Sequence, residues 1–319
     1  MSKQANIRRL PLISVAALLV LTVWTSACGG DPPADEATAD EPTPEVTVAA
    51  PEPEFVEFDA ANFGNSTVID NEWTPMIPGM QRISEGFTIE DDQRIPHRVE
   101  FTVTDLTKEI LGVQTVVAWI VDIAEGEVVE KEVAFYAQDN DGNVWYFGEH
   151  PEEYEDGEFL AAPTWIAGVA EARPGVKMWA DPQVGMPSYF QGWAPTVEWS
   201  DYGTVDKTGE ETCVRSGCHE DVLVIAESSL DEVDVYQLKY YVRGVGEVRA
   251  GWRGNPETPE ALQMVESAQL SPEALAVVRA EALAIEAHAY QVSKEYSLTP
   301  PSEQKLMPKT ENLRQRMKS

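Results

Sequence analysis

The residues with the clearest chemical potential are Cys213-Val214-Arg215-Ser216-Gly217-Cys218-His219, where two thiols precede an imidazole. Two cysteines followed by His resemble a c-type haem attachment site, in which thioethers hold the porphyrin and His219 supplies an axial ligand. That arrangement normally places two residues between the cysteines, whereas four stand here, between segments that read as strands. An even pair of cysteines in an exported chain reads instead as a disulfide, Cys213 to Cys218, closed across a turn. Such a short loop adds only about 2 kcal/mol in the chain-entropy model, so it is a local staple. No cofactor is expected.

Other constellations dissolve on inspection. Asp139, Asp141 and Asn143 alternate oxygen ligands as a calcium loop does, but the glycine and closing glutamate of that loop are missing. The same residues are what a hairpin turn requires. Lys207-Thr208-Gly209 and Ser302-Glu303-Gln304-Lys305 resemble two pieces of a penicillin-recognising serine enzyme, yet their order is reversed. Glu90-Asp91-Asp92 and Glu152-Glu153-Tyr154-Glu155-Asp156 could supply carboxylates for glycoside hydrolysis. A catalytic pair must face across a cleft and usually comes from distant segments, so adjacent acids in turns read as solvated. His97, His150, His219 and His288 share no metal-ligand spacing, and no metal site is expected. Trp165, Trp179, Trp193 and Trp199 gather in one loop-rich stretch, where rings either line a ligand cleft or plug an open sheet.

These residues are positioned by short runs of period two, broken by Gly, Asp, Asn and Pro, from Phe58 to about Trp252. Val99 to Thr104 alternates strictly, and Gln114–Asp122 and Glu127–Gln138 follow. Asp139-Asn140-Asp141-Gly142 then turns the chain into Asn143–Phe147. Val222–Ala226, Val235–Val242 and Glu247–Trp252 complete the set, while residues 151–201 read as long loops. The fold class is mainly β, an antiparallel meander sheet, open or half barrel-like, with a C-terminal amphipathic α-helix. Thr258-Pro259-Glu260 and Ser271-Pro272-Glu273 each suit a helix start. Behind the second, Leu275, Val278, Ala282, Ile285, Ala289 and Val292 form one apolar stripe, with Arg279, Glu281, Glu286 and His288 off it.

The N-terminus sets the compartment. Lys3, Arg8 and Arg9 precede an uncharged run from Leu10 to Trp24 and then Thr25-Ser26-Ala27-Cys28, the order of a signal peptide. The run is shorter than the roughly 20 residues a spanning helix needs. A cysteine after Ser26-Ala27 resembles the bacterial lipobox, whose thiol is acylated, although Thr25 stands where Leu is usual. Pro11 interrupts the stretch that twin-arginine export would use after Arg8-Arg9, which favours general secretion. Gly29 is not the Asp of an inner-membrane retention signal, which points to the outer membrane or the cell surface. Residues 28–57 repeat Pro, Glu, Asp, Thr and Ala and form an acidic tether reaching roughly 80 Å. With 55 acidic and 23 basic residues the net charge is -32, which disfavours nucleic acid and anionic lipid surfaces as partners.

Tyr136-Ala137-Gln138-Asp139 through Gly142–Glu149, with Lys239-Tyr240-Tyr241 and Gly244–Val248 and less fully Pro187-Ser188-Tyr189, resembles a family of secreted bacterial β-rich proteins and lipoproteins without an assigned activity. The resemblance spans roughly residues 58–252. It implies an exported β-rich domain and carries no catalytic residues. The Cys213–His219 segment departs from the family pattern, in which a plain turn precedes the strand at Asp221.

The chain therefore reads as a signal peptide (1–27), a tether (28–57), an antiparallel β domain (58–252), a helical segment docked on it (253–296) and a disordered tail (297–319). The function expected is a lipid-anchored, non-catalytic envelope module for binding or assembly, its partner an apolar small molecule or an envelope protein. A carboxylate-pair hydrolase, or a haem protein using Cys213, Cys218 and His219, is the alternative. Intact-mass spectrometry of protein extracted from its own membranes should return residues 28–319 plus acyl chains, and Cys28→Ser should lack the acyl increment. A wild-type mass without it removes the anchor.

Overall fold

A short turn follows almost every strand, which lets neighbours in sequence pair as neighbours in space. The computed structural model describes residues 52–305. The signal peptide, Cys28, the tether up to residue 51 and the tail from residue 306 lie outside the described residues. In chain order the elements are β1 Met80–Glu90, β2 Gln93–Ile110, β3 Val113–Ala124, β4 Glu127–Gln138, β5 Val144–Glu155, β6 Glu158–Ala161, β7 Trp165–Ile166 and β8 Arg173–Met178. There follow β9 Tyr189–Phe190, β10 Gly192–Trp193, β11 Tyr202–Val214, β12 Gly217–Ser228, β13 Tyr236–Val242, β14 Gly246–Arg253, β15 Glu260–Gln269, α1 Pro272–Val292 and β16 Glu303–Gln304.

All strands belong to one antiparallel sheet that is not closed into a barrel, as the alternating sequence predicts. It consists of two meanders, β1 to β5 and β11 to β15, joined where β1 pairs with β15. At the far ends β8 pairs with β5, and β9 pairs with β11. The chain passes directly from β9 to β10, which pairs back to β8, so residues 189–193 hydrogen-bond to both ends of the sheet.

Helix α1 packs against β2 and β4. Ser271 caps its first turn, its hydroxyl accepting from Ala274 N at 3.2 Å. Leu275, Ala282, Ile285 and Ala289 of the predicted stripe are buried, while Val292 is exposed. Glu286, expected off the stripe, is buried as well, because Lys108 Nζ on β2 donates to it at 2.8 Å. No helix among the described residues is long and apolar enough to cross a membrane.

Four expectations are corrected. Thr258-Pro259-Glu260 starts the strand β15, not a helix, so the helical part of residues 253–296 is Pro272–Val292 alone. β15 gains ladders on both edges, to β1 and β14, and its buried Glu260, Leu262 and Met264 alternate along it, which overrides the helix propensity of its residues. The stretch 151–201 is not only loop, since β6 to β10 add short pairings there. Residues 297–305 of the expected tail are docked: β16 pairs with β2, and Lys305 Nζ donates to Thr67 Oγ1 at 2.7 Å. The last residues of the expected tether pack too, Glu54 bridging to Tyr189 and Phe55 stacking on Phe190 at 4.1 Å, because a large apolar ring at Phe55 has a surface to cover.

Cys213 and Cys218 face each other across the β11–β12 hairpin, Cα atoms 4.0 Å apart, and are joined as a disulfide. The hairpin ladder already holds both residues in place. Replacing both with Ser should therefore retain the fold and lower unfolding free energy by no more than about 2 kcal/mol in denaturant titrations. A larger loss, or a change in the native spectrum, would show that the staple holds more than its own hairpin.

Candidate functional site

Strand alternation places a row of ionisable side chains on one face of the sheet, here called the inner face. In one register row Ser84, Val99, Asp122 and Glu130 stand side by side, and in the next Arg82, Phe101, Ile120 and Glu132. β4 and β5 add Tyr136 and Tyr146, rings stacked at 4.8 Å, and the opposite end of the sheet adds Glu227 and Lys239. Residues from β1, β2, β3, β4, β8, β13, β14 and β15 together line a single cavity of about 90 Å3, so the sheet curls around it. Its charged lining is Arg82, Asp122, Lys177, Lys239, Glu247 and Glu260, with Phe101, Tyr136 and Tyr241 among the ring contacts.

Isolated buried charges are costly, so each needs a partner. Lys177 Nζ, on β8, donates to Glu227 on β12 and to Gln191 Oε1 at 3.3 Å, and Gln191 Nε2 donates to the same Glu227 oxygen at 2.9 Å. Lys239 Nζ lies 3.4 Å from Glu247 Oε1. His97 Nδ1 sits 2.9 Å from Glu260 Oε1, at an angle too poor for a full hydrogen bond, and its Nε2 is 3.7 Å from Asp122 Oδ2. Burial alone would lower the His97 pKa, but Asp122 and Glu260 outweigh it and raise it to about 10. His97 and Glu260 can meet because Gly86 lies between them on β1, opposite His97 on one side and Leu262 on the other. A Cβ there would come within 1.8 Å of the Ala261 carbonyl oxygen.

Further along the inner face, carboxyl groups lack cationic partners. Glu130, Glu132 and Glu149 are buried, and burial pushes all three pKa values up, with Asp122 and neighbouring glutamates adding to it. Tyr146 Oη donates to Glu149 and lies 3.4 Å from Glu132 Oε1. These are carboxylic acids around a phenol, and they do not line the cavity.

On the outer face α1 closes a second polar cluster. His288 Nδ1 and Tyr154 Oη contact the Glu152 carboxylate at 2.7 and 2.6 Å, and His150 bridges Glu152 and Thr164 Oγ1. The 152–156 acids are thus not all solvated: Glu152 is buried, and burial's upward push on it is overcome by His150, Tyr154 and His288, which hold it below its ordinary value.

The residues singled out by sequence take other places. Trp165 and Trp199 are fully buried, their rings 4.8 Å apart over Tyr146. Trp179 packs on Tyr189, and Trp193 on Phe190 and Phe55. None of the four lines the cavity. With Cys213 and Cys218 bonded to each other, neither sulfur is available for a thioether beside His219. Asp139 accepts from the backbone of Asp141 and Asn143 and from the side chains of Asn143 and Trp145, so its oxygens are spent on the turn. Ser302 donates to Glu286, and Lys207 is exposed beside Glu210. No group of three or more acidic, His or Cys residues among those described could hold a metal ion.

The cavity residues were not singled out from sequence. Their signal is a charge inside an apolar run, as in Val121-Asp122-Ile123, Val176-Lys177-Met178 and Leu238-Lys239-Tyr240. A strand facing solvent would show such charges in regular alternation, whereas isolated ones mark a polar interior.

The sequence matches no protein-family model, and no curated protein is similar to it. Among solved structures, a protein assigned as exported, with a YmcC-like fold, from Bacteroides fragilis NCTC 9343 aligns with 62% of this chain and 99% of its own length, at 11% identity and a TM-score of 0.33. A protein assigned as a lipoprotein from Parabacteroides distasonis ATCC 8503 aligns with 62% of this chain and all of its own length, at 13% identity and the same TM-score of 0.33. Likenesses this loose transfer neither a fold nor a role.

Burial and the nearby Glu132 raise Glu149 from 4.5 to about 8. Its folded value exceeds its unfolded one, so its stabilising contribution is complete below pH 4.5 and is lost as the pH rises through 8. Denaturant unfolding at pH 5 and pH 8 should show the wild type losing stability over that interval and Glu149→Gln losing less. Equal losses would assign the pH dependence to other groups.

Proposed function

We propose that this protein is an exported, lipid-anchored, non-catalytic binding module whose receptor is the charged cavity inside the curled sheet. Its ligand is a small polar solute. The observation that carries this reading is unspent hydrogen-bonding capacity on the cavity lining: Asp122 Oδ1 is buried without a partner, and Arg82 uses one N–H group, donating to Val245 O at 3.2 Å. Buried polar groups are almost always paired, so an unpaired acceptor and an under-used guanidinium on the lining of one space fit a solute that enters it. The apolar ligand expected from the tryptophans is not favoured, since Trp165 and Trp199 fill core, none of the four lines the cavity, and the cavity is charged and far below the roughly 300 Å3 at which pockets for drug-sized ligands begin. The carboxyl groups around Tyr146 do not line that space, which argues against a hydrolase. The lipobox-like Thr25-Ser26-Ala27-Cys28 and the acidic composition of residues 28–57 support the envelope location.

Native mass spectrometry of protein purified gently from its own membranes tests the reading. A small polar solute should be released on denaturation, and Ser84→Phe, which fills the cavity from β1, should carry none. A wild-type protein that carries an apolar molecule, or that carries nothing and takes up no small polar solute, ends the proposal.

A further inference from the structure

The charges around the cavity do not cancel group by group, and the remainder has a direction. Lys177 answers Glu227, and Lys239 answers Glu247. One imidazolium, His97, stands between two carboxylates, Asp122 and Glu260, so that corner keeps one negative charge and the partnerless Asp122 Oδ1. Arg82 is the counterpart. It is buried, no carboxylate among the described residues lies within ion-pair distance of it, and its guanidinium is held by the Val245 carbonyl and the Phe101 ring, 4.6 Å from the centroid. Gly246, at φ +101°, makes room for it, since a Cβ there would stand 2.5 Å from the guanidinium nitrogen Nη1. The cavity therefore has one cationic pole and one anionic pole, with a net charge of zero.

We propose that this cavity binds a small ammonium–carboxylate zwitterion, its carboxylate on Arg82 and its ammonium on Asp122. This rests on the reading of the cavity as a binding site and adds the class of its ligand. A simple anion would satisfy Arg82 and leave the Asp122 corner unanswered, and a simple cation would do the reverse. Either leaves a buried charge uncompensated, which a zwitterion does not. A free carboxylate oxygen accepts an N–H, so a primary ammonium suits Asp122 better than a quaternary one. The guanidinium fork matches a carboxylate in two parallel hydrogen bonds, which a lysine in its place could not make. The volume of about 90 Å3 suits small members of the class, such as glycine.

Isothermal titration of the dialysed full chain with glycine, acetate and methylammonium decides the matter, alongside native mass spectrometry of the protein before dialysis. Glycine should bind at least about tenfold more tightly than either half-ligand, as expected when a charge-assisted bond is lost. Arg82→Lys and Asp122→Asn, acting at opposite ends, should each weaken glycine by a similar factor while near-ultraviolet circular dichroism stays native. Should Arg82→Lys fail to fold, Asp122→Asn alone tests the ammonium end. Acetate binding as tightly as glycine, glycine affinity unmoved by Asp122→Asn, or a co-purifying solute of another charge class would overturn the zwitterion and leave the cavity as a polar binding site. No binding by any probe, together with no co-purifying solute, would overturn both.

Discussion

The buried ammonium of Lys177 ties the two ends of the sheet together. It projects from β8, second from one end of the strand order, and its carboxylate partner Glu227 stands on β12, third from the other end. Gln191, between β9 and β10, bonds to both. A buried charge removed from its partner costs several kcal/mol, by order of magnitude, so the ends cannot drift apart without exposing a penalty of that size. The β1–β15 ladder joins the two meanders, and the Lys177 seam holds their far ends around the cavity.

The same rule of paired burial governs the outer face. α1 contributes a stripe of Leu275, Ala282, Ile285 and Ala289, but its polar flank is attached to the sheet as well. Lys108 reaches Glu286, Arg279 Nε reaches Asp105 Oδ1 at 2.7 Å, and His288 reaches Glu152. Glu286 also accepts from Ser302, which fixes the chain beyond the helix before β16 adds itself to β2. Apolar contact gives the helix its place, and directional ion pairs give it one orientation on that place.

The two faces thus use ionisable groups for different ends. Outside, every prominent charge has a counter-charge or donor and the cluster is closed by the helix. Inside, the Lys177 and Lys239 pairs are structural, whereas the Arg82 and Asp122 ends are left short of partners around an open space. Glu130, Glu132 and Glu149 belong to neither set. Burial holds them toward the neutral acid, so they add polarity without adding charge.

How much of this is legible in the sequence differs by element. Alternation at Val99–Thr104 and the Asp139–Gly142 turn identify strands and a hairpin directly, because side-chain period and turn chemistry are local properties. The disulfide is equally local, Cys213 and Cys218 being too close in the chain to have a better partner. The helix at Pro272–Val292 shows its cap and its stripe. By contrast β15 carries helix-forming residues, and only ladders from β1 and β14, distant in sequence, make it a strand. The four tryptophans could not be assigned to cleft or core without knowing what faced them, and Trp165 and Trp199 turn out to face Tyr146. The cavity is the extreme case. Its lining comes from eight strands spread between Arg82 and Leu262, and what makes Arg82 and Asp122 notable is not their type but the absence of a partner. The sequence alone determined the strands with clear alternation, the Asp139–Gly142 turn, the helix at Pro272–Val292 and the signals read for export, since these depend on neighbours along the chain. Only tertiary structure decided which charges were answered, because pairing depends on neighbours in space.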